Sequence, residues 1–233
     1  AGLEAGLAPN SMVQDTPVSI DGWRPRNYDG RYRGWVSLRR ALAGSFNAAA
    51  VRVSEQVGRR KVIDAAERLG ITSRLKPHPS VALGASEVSL MEITGAYAVF
   101  ANKGYPAWPY GIIEIHDSEG NLLYRRRGSG AGRLIEPRVV VAMQSMLSDV
   151  IRFGTGKAAG LIRHAAGKTG TSQDFRDAWF VGFTADLVTG VWLGNDDSTP
   201  MNRITGGGMP THLWRDFMYD ALKGKPIRRL PAN

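Results

Sequence analysis

Between Leu38 and Leu69 apolar residues recur at three- and four-residue spacing, the pattern of helices that bury one face. Leu38-Arg39-Arg40-Ala41-Leu42 starts the first of these patterns. A second runs from Ala48 to Val57 and stops at Gly58, and a third from Arg59 to Leu69 and stops at Gly70, because glycine closes a helix in the left-handed region at no steric cost. Their short connections require the two to pack together. Ser89-Leu90-Met91-Glu92 has the form of a capping box, in which serine and glutamate satisfy each other's free backbone donors, so another helix should begin near Ser89 and end near Gly104. Pro137 suits the first turn of a helix reaching about Ile151, ahead of the loop Gly154-Thr155-Gly156.

A period of two appears elsewhere. Pro109 to Leu123 alternates enough, at Gly111-Ile112-Ile113-Glu114-Ile115, for a strand pair with a turn at Asp117-Ser118-Glu119-Gly120. In the last third, strand-like runs at Ala165–Thr171, Ala178–Thr184 and Leu187–Leu193 are separated by short polar turns, which predicts an antiparallel meander. Ala178-Trp179-Phe180-Val181-Gly182-Phe183 is apolar on both faces, so that sheet should be covered on both sides, with a capped helix from Thr211 to Leu222 covering one of them. Residues 1–36, rich in Gly, Pro, Asn and Asp, read as a long irregular stretch, and Ala1-Gly2-Leu3-Glu4-Ala5-Gly6 as the end of a helix. Residues 125–132 read as a flexible basic loop. No internal repeat or low-complexity tract interrupts the chain.

The 233 residues, 43% hydrophobic and 22% charged, suffice for one large or two small lobes with a real core. No apolar run approaches the roughly 20 residues that span a bilayer, and the N-terminus lacks a basic-then-apolar leader pattern. A membrane anchor is therefore expected only N-terminal to this sequence. The absence of cysteine excludes disulfides, thiolate metal sites and a cysteine nucleophile. His78, His116, His164 and His212 are scattered without metal-ligand spacing, so neither a metal nor another cofactor is expected. The net charge of +9 suits contact with an anionic polymer, whether nucleic acid, acidic lipid or cell-wall material. A nucleic-acid reading would rest only on that charge and on Arg125-Arg126-Arg127, no nucleic-acid-binding motif accompanies them, and a nucleic-acid partner is not expected.

Two short strings could carry chemistry. Lys168-Thr169-Gly170-Thr171 closes the first strand of the meander. A lysine and two hydroxyls there could hold a carboxylate, the glycine would let an extended peptide approach, and backbone N–H groups could hold an oxyanion. Ser45-Phe46-Asn47 lies between two helices; Asn47 could be simply the N-cap of the second, or Ser45 could relay protons while Asn47 hydrogen-bonds a substrate amide. Alone, each string is common by chance, and a polar strand end and a helix cap explain them adequately.

Their order and surroundings change that reading. Gly30-Arg31-Tyr32-Arg33-Gly34 and Ser37-Leu38-Arg39-Arg40-Ala41-Leu42 lead into Ser45-Phe46-Asn47, and Gly167-Lys168-Thr169-Gly170-Thr171-Ser172 precedes Asp177-Ala178-Trp179-Phe180-Val181-Gly182. With Ala82-Leu83-Gly84, Glu87-Val88-Ser89, Ala96-Tyr97-Ala98 and Thr205-Gly206-Gly207, this arrangement resembles the transpeptidase domain of class A penicillin-binding proteins from about residue 1 to 222. That family carries the motifs S-x-x-K, S-x-N and K-T-G. The second and third are present. Ser73-Arg74-Leu75-Lys76 matches the first as a string, but it lies between the other two and runs into Pro77, so the family's first motif is expected upstream of residue 1.

The resemblance implies an α+β fold, an antiparallel sheet packed with helices beside a mostly helical lobe, with the helical lobe at roughly 37–110 and the sheet-containing lobe at roughly 111–233. It implies a D,D-transpeptidase that cross-links peptidoglycan stem peptides through a serine acyl-enzyme and is acylated by β-lactams on the periplasmic side of the inner membrane. Ser45, Asn47 and Lys168 would be catalytic, and Thr169, Gly170 and Thr171 would bind substrate. The upstream segment carrying the serine nucleophile would be a necessary partner, without which the chain is expected to be inactive. A serine β-lactamase or carboxypeptidase, and a non-catalytic wall-binding module, are the alternatives left open.

Overall fold

The computed structural model describes residues 1–128 and 132–230, which form six α-helices and seven strands among the described residues. The meander β5 (Ala166–Thr171), β6 (Asp177–Phe183) and β7 (Val188–Gly194) is antiparallel, in the order β5-β6-β7. Its register is unbroken from Ala166 opposite Phe183 to Thr171 opposite Ala178, and from Asp177 opposite Gly194 to Phe183 opposite Val188.

Strand periodicity sorts the sheet into two faces. Phe180 packs with Trp214, Met218 and Leu222 of the C-terminal segment under α6 (Met209–Ala221). Phe183 and Ala166 face the other way, onto Leu147, Tyr97, Phe100 and Met143 of α4 (Leu90–Ala101) and α5 (Pro137–Arg152). Helix α4 crosses β7 so closely that a Cβ on Gly190 would lie 2.2 Å from the Thr94 hydroxyl. The sheet is therefore covered on both sides, as its doubly apolar central strand requires.

The helices α1 (Leu38–Gly44), α2 (Asn47–Val57) and α3 (Arg59–Arg68) fall within a residue or two of the spacing-based boundaries. The capping box of α4 is complete, with Ser89 Oγ accepting from Glu92 N–H at 3.2 Å and Glu92 Oε2 accepting from Ser89 N–H at 2.8 Å. Residues 1–7 make one helical turn closed by bonds from Gly6 N–H to Leu3 O and from Leu7 N–H to Gly2 O, the double closure of a helix C-terminus with glycine left-handed.

Four expectations need correction. Residues 1–36 are not wholly irregular: β1 (Met12–Asp15) pairs with β2 (Gly34–Ser37), burying Val13 opposite Val36. Each strand has four residues and a single buried apolar side chain, too few for a hydrophobic alternation signal. Of the two readings open for Asn47, the N-cap of α2 is the one that fails; Phe46 is the N-cap, and Asn27 from the preceding loop accepts from Ala48 N–H in place of a local cap. Helix α6, expected as a capped helix from Thr211, starts at Met209 behind Gly208 with no side-chain cap, and Thr211 Oγ1 donates to Gly206 O at 2.5 Å. The strand pair β3 (Glu114–His116) and β4 (Leu122–Arg125) is shorter than expected and omits Ile112 and Ile113. The basic loop expected over 125–132 includes residues 129–131, which lie outside the described residues.

Candidate active site

Helix α1 ends at Ser45, whose backbone is left-handed (φ 54°, ψ 49°). Its N–H reaches Leu42 O and the N–H of Phe46 reaches Ala41 O at 2.9 Å, the closure that glycine usually makes. A serine there bears a Cβ penalty of about 1 kcal/mol, and strain of this kind concentrates where a side chain must be aimed. Both variants lose the hydroxyl, so the strain shows in their difference: Ser45→Gly is expected to be about 1 kcal/mol more stable than Ser45→Ala in urea unfolding. Equal stability of the glycine and alanine variants would show that the position is unstrained.

The Ser45 hydroxyl is met from across the fold by Lys168 on β5, with Nζ to Oγ at 2.8 Å and a second bond from Nζ to Thr169 O at 3.0 Å. Lys168 as a whole is only half-buried, but its ammonium is crowded by protein, and that desolvation pushes its pKa down to about 8. Asn47 is brought to the same turn but not onto Lys168. Its Nδ2 donates to Arg26 O at 2.8 Å, which turns the amide nitrogen away and fixes the orientation of the group.

Thr169 and Thr171 project from the opposite face of β5. Thr169 Oγ1 lies 2.6 Å from Thr155 Oγ1, and Thr171 Oγ1 accepts from Gly206 N–H at 2.9 Å. Ser172 N–H donates to Asp177 O on β6, so by strand alternation Thr171 N–H points the other way, to the open edge of β5. The carbonyl of Thr169 points to that same edge, where it meets Lys168. Gly170 lies beneath Gly206 so closely that a Cβ on Gly206 would sit 2.3 Å from Gly170 O.

The surrounding frame includes residues that no motif announces. Asp15, fully buried, accepts from Asn27 Nδ2 at 2.8 and 3.0 Å and from Arg33 N–H at 3.0 Å; Asn27 in turn caps α2. This network holds the Ser45–Asn47 turn from below, and its members are scattered through the stretch that read as irregular. Ser73 is not near this chemistry: its hydroxyl donates to Glu92 Oε2 at 2.8 Å inside the cap of α4. The Thr72 hydroxyl, the Ser89 N–H and the Ser73 hydroxyl together hold the Glu92 carboxyl well below the usual carboxylate range.

A strained serine, a lysine presented to it from an edge strand, and threonines flanking an outward N–H form a constellation suited to acyl transfer. Residues 1–197 match the family model for the penicillin binding protein transpeptidase domain. Penicillin-binding protein 1A of Neisseria lactamica is 39% identical over 241 residues, covering 97% of this chain and 30% of that protein. The protein of the same name from Rickettsia conorii is 35% identical over 256 residues, covering 97% and 32%. Among solved structures, penicillin-binding protein 1A from Haemophilus influenzae superposes with a TM-score of 0.90 at 29% identity, over 98% of this chain and 41% of that one. PonA1 from Mycobacterium tuberculosis, in complex with penicillin V, superposes at 0.91 with 26% identity, over 99% and 68%. The chain belongs to the penicillin-binding protein transpeptidase-domain family. Within it, the resemblance is to class A proteins, and the chain spans about a third of the length of these curated relatives.

Proposed function

We propose that this chain builds one wall of a D,D-transpeptidase site that cross-links peptidoglycan stem peptides and is acylated by β-lactams. The observation that carries the reading is the 2.8 Å hydrogen bond from Lys168 to Ser45, which joins two motifs 123 residues apart at one crowded ammonium. Ser45 and Asn47 come from the helical lobe, roughly 37–110, and Lys168, Thr169, Gly170 and Thr171 from the sheet-containing lobe, roughly 111–233. The cleft lies between them.

In this reading the nucleophilic serine and its base belong to a segment N-terminal to residue 1. Attack by that serine on the peptide carbonyl next to the terminal D-alanine forms an ester C–O bond and breaks the C–N bond; the departing amine needs a proton. Ser45 Oγ accepts from Lys168, so its own proton is available to that amine, and the lysine charge favours the transfer. The ammonium has donated to Ser45 and to Thr169 O, which leaves one N–H for the substrate carboxylate. Thr171 Oγ1 already accepts from Gly206, so its proton is left for the same carboxylate, while Thr171 N–H is one oxyanion donor. Asn47, with its nitrogen held by Arg26 O, turns its oxygen to the substrate amide. An amine from a second stem peptide then displaces the serine and completes the cross-link. Such a substrate lies outside the cytoplasmic membrane and places the domain there. Among the described residues no helix is long and apolar enough to cross a membrane.

Intact mass after exposure to a reactive penicillin tests this directly, on the present chain and on a protein extended upstream by about forty residues, long enough for a helix and its approach. A single penicilloyl adduct is expected on the extended protein alone. An adduct on the short chain would put the nucleophile within it, and no adduct on either would favour a non-catalytic wall-binding module.

A further inference from the structure

We infer that Thr155 is a positioning residue, which orients the Thr169 hydroxyl toward the substrate carboxylate and locks the end of the helix that presents Ser45. The inference rests on the transpeptidase reading and adds to it a residue outside the two motifs.

Thr155 sits between Gly154 and Gly156 in the turn that follows α5, where three elements converge. Its N–H donates to Ala43 O at 3.1 Å, satisfying a carbonyl in the last turn of α1 that the helix itself leaves unpaired. A Cβ on Gly154 would lie 2.2 Å from that same oxygen, so the backbones touch and leave no room for a side chain. The turn is pinned to α5 by Gly154 N–H to Asp149 O and Gly156 N–H to Val150 O, each at 3.0 Å. On the far side the Thr155 carbonyl abuts Gly207, whose Cβ would come within 2.6 Å of it. Helix α1 is itself tied to α5 by the ion pair between Arg39 and the buried Asp149. The backbone of Thr155 is thus fixed against the Ser45 helix, α5 and the glycine loop that supports Thr171.

From that position its side chain reaches one partner, Thr169 Oγ1 at 2.6 Å. Two hydroxyls that share a hydrogen bond use one proton for it. When Thr155 donates, Thr169 accepts and keeps its own proton for an incoming carboxylate; when Thr155 is removed, the Thr169 rotor is free and its proton turns to whichever acceptor is nearest. Thr155 therefore selects the rotamer and proton direction of a substrate-binding group without needing to touch the substrate.

The test is the second-order rate of acylation of the full-length protein by a penicillin, whose carboxylate occupies this subsite in the proposed reading. Thr155→Val keeps the shape and removes the hydroxyl, and should slow acylation about tenfold, the effect of one misdirected hydrogen bond. Thr155→Ala should match it, and Thr155→Ser should restore the rate to within about twofold. The deciding measurement is the double-mutant cycle with Thr169→Val: if Thr155 acts through Thr169, adding Thr155→Val to Thr169→Val costs nothing further. Full additivity of the two, or a wild-type rate in both Thr155→Val and Thr155→Ala, overturns the inference. Absence of acylation in the wild-type protein would instead overturn the transpeptidase reading, and this inference with it.

Discussion

Lys168→Met is expected to slow β-lactam acylation of the full-length protein about a thousandfold and, at the same time, to stabilise the fold by about 2 kcal/mol at pH 7. The two effects have one cause. Burial pushes the Lys168 ammonium from 10.5 to about 8, with Ser45 and Thr169 O as its partners and desolvation as the source of the change. Between those pH values the unfolded chain holds a proton that the folded chain has released, so the wild-type fold gains stability as pH rises from about 8 to 10.5 and bears the full penalty below 8. Methionine fills the space with no charge to desolvate. Its advantage should be complete at pH 7, shrink above pH 8 and disappear above 10.5, somewhat below the full linkage value because Ser45 loses its donor. Urea unfolding at pH 7 and at pH 10.5 measures this, and a variant less stable than wild type at pH 7 would falsify it. Acylation should also decline in the wild-type protein as pH rises through about 8, because the ammonium form both assists Ser45 and attracts the carboxylate. A group kept at a cost in stability is expected where function requires it.

The meander and the helices could be read from the sequence because their signals are local. A continuous apolar run over Ala178–Phe183 between polar turns, glycines after Val57 and Leu69, and a capping box at Ser89 each lie within one element. The functional groups were legible for a different reason: Ser45-Phe46-Asn47 and Lys168-Thr169-Gly170-Thr171 are weak strings whose order and surroundings match a known family. What holds them was hidden, because it is assembled across the chain. Asp15, Asn27 and Ala48 form one network from a strand, a loop and a helix. The same holds for Thr155: the loop Gly154-Thr155-Gly156 is visible as a loop, but its partner Thr169 is fourteen residues away on another element. Asn47 shows the limit of local chemistry most plainly. An Asn opening a helix is a natural cap, yet tertiary contacts here give the capping to Asn27 and leave Asn47 oriented by Arg26.

Trp214→Ala should cost about 4 kcal/mol, the range for truncating a fully buried tryptophan, and Trp214→Phe only about 1–2 kcal/mol. Trp214 has no exposed surface, packs edge-on against Phe180 at a centroid separation of 5.1 Å, and donates from Nε1 to Thr189 O at 3.1 Å and Gly182 O at 3.3 Å. Those carbonyls belong to facing residues of β6 and β7, so one indole spans the two strands. The sheet is cut to receive it: a Cβ on Gly182 would lie 2.9 Å from the indole ring. Phenylalanine retains most of the apolar burial and loses the N–H, so the difference between the two variants separates packing from hydrogen bonding. The Lys168–Ser45 contact lies on the opposite face of the sheet, and the fraction of Trp214→Phe that is folded should acylate within a few-fold of the wild-type rate. A loss below about 1.5 kcal/mol for Trp214→Ala in urea unfolding would mean that α6 can leave the sheet without exposing its core, and that the edge strand bearing Lys168 is held from the α4 and α5 side alone.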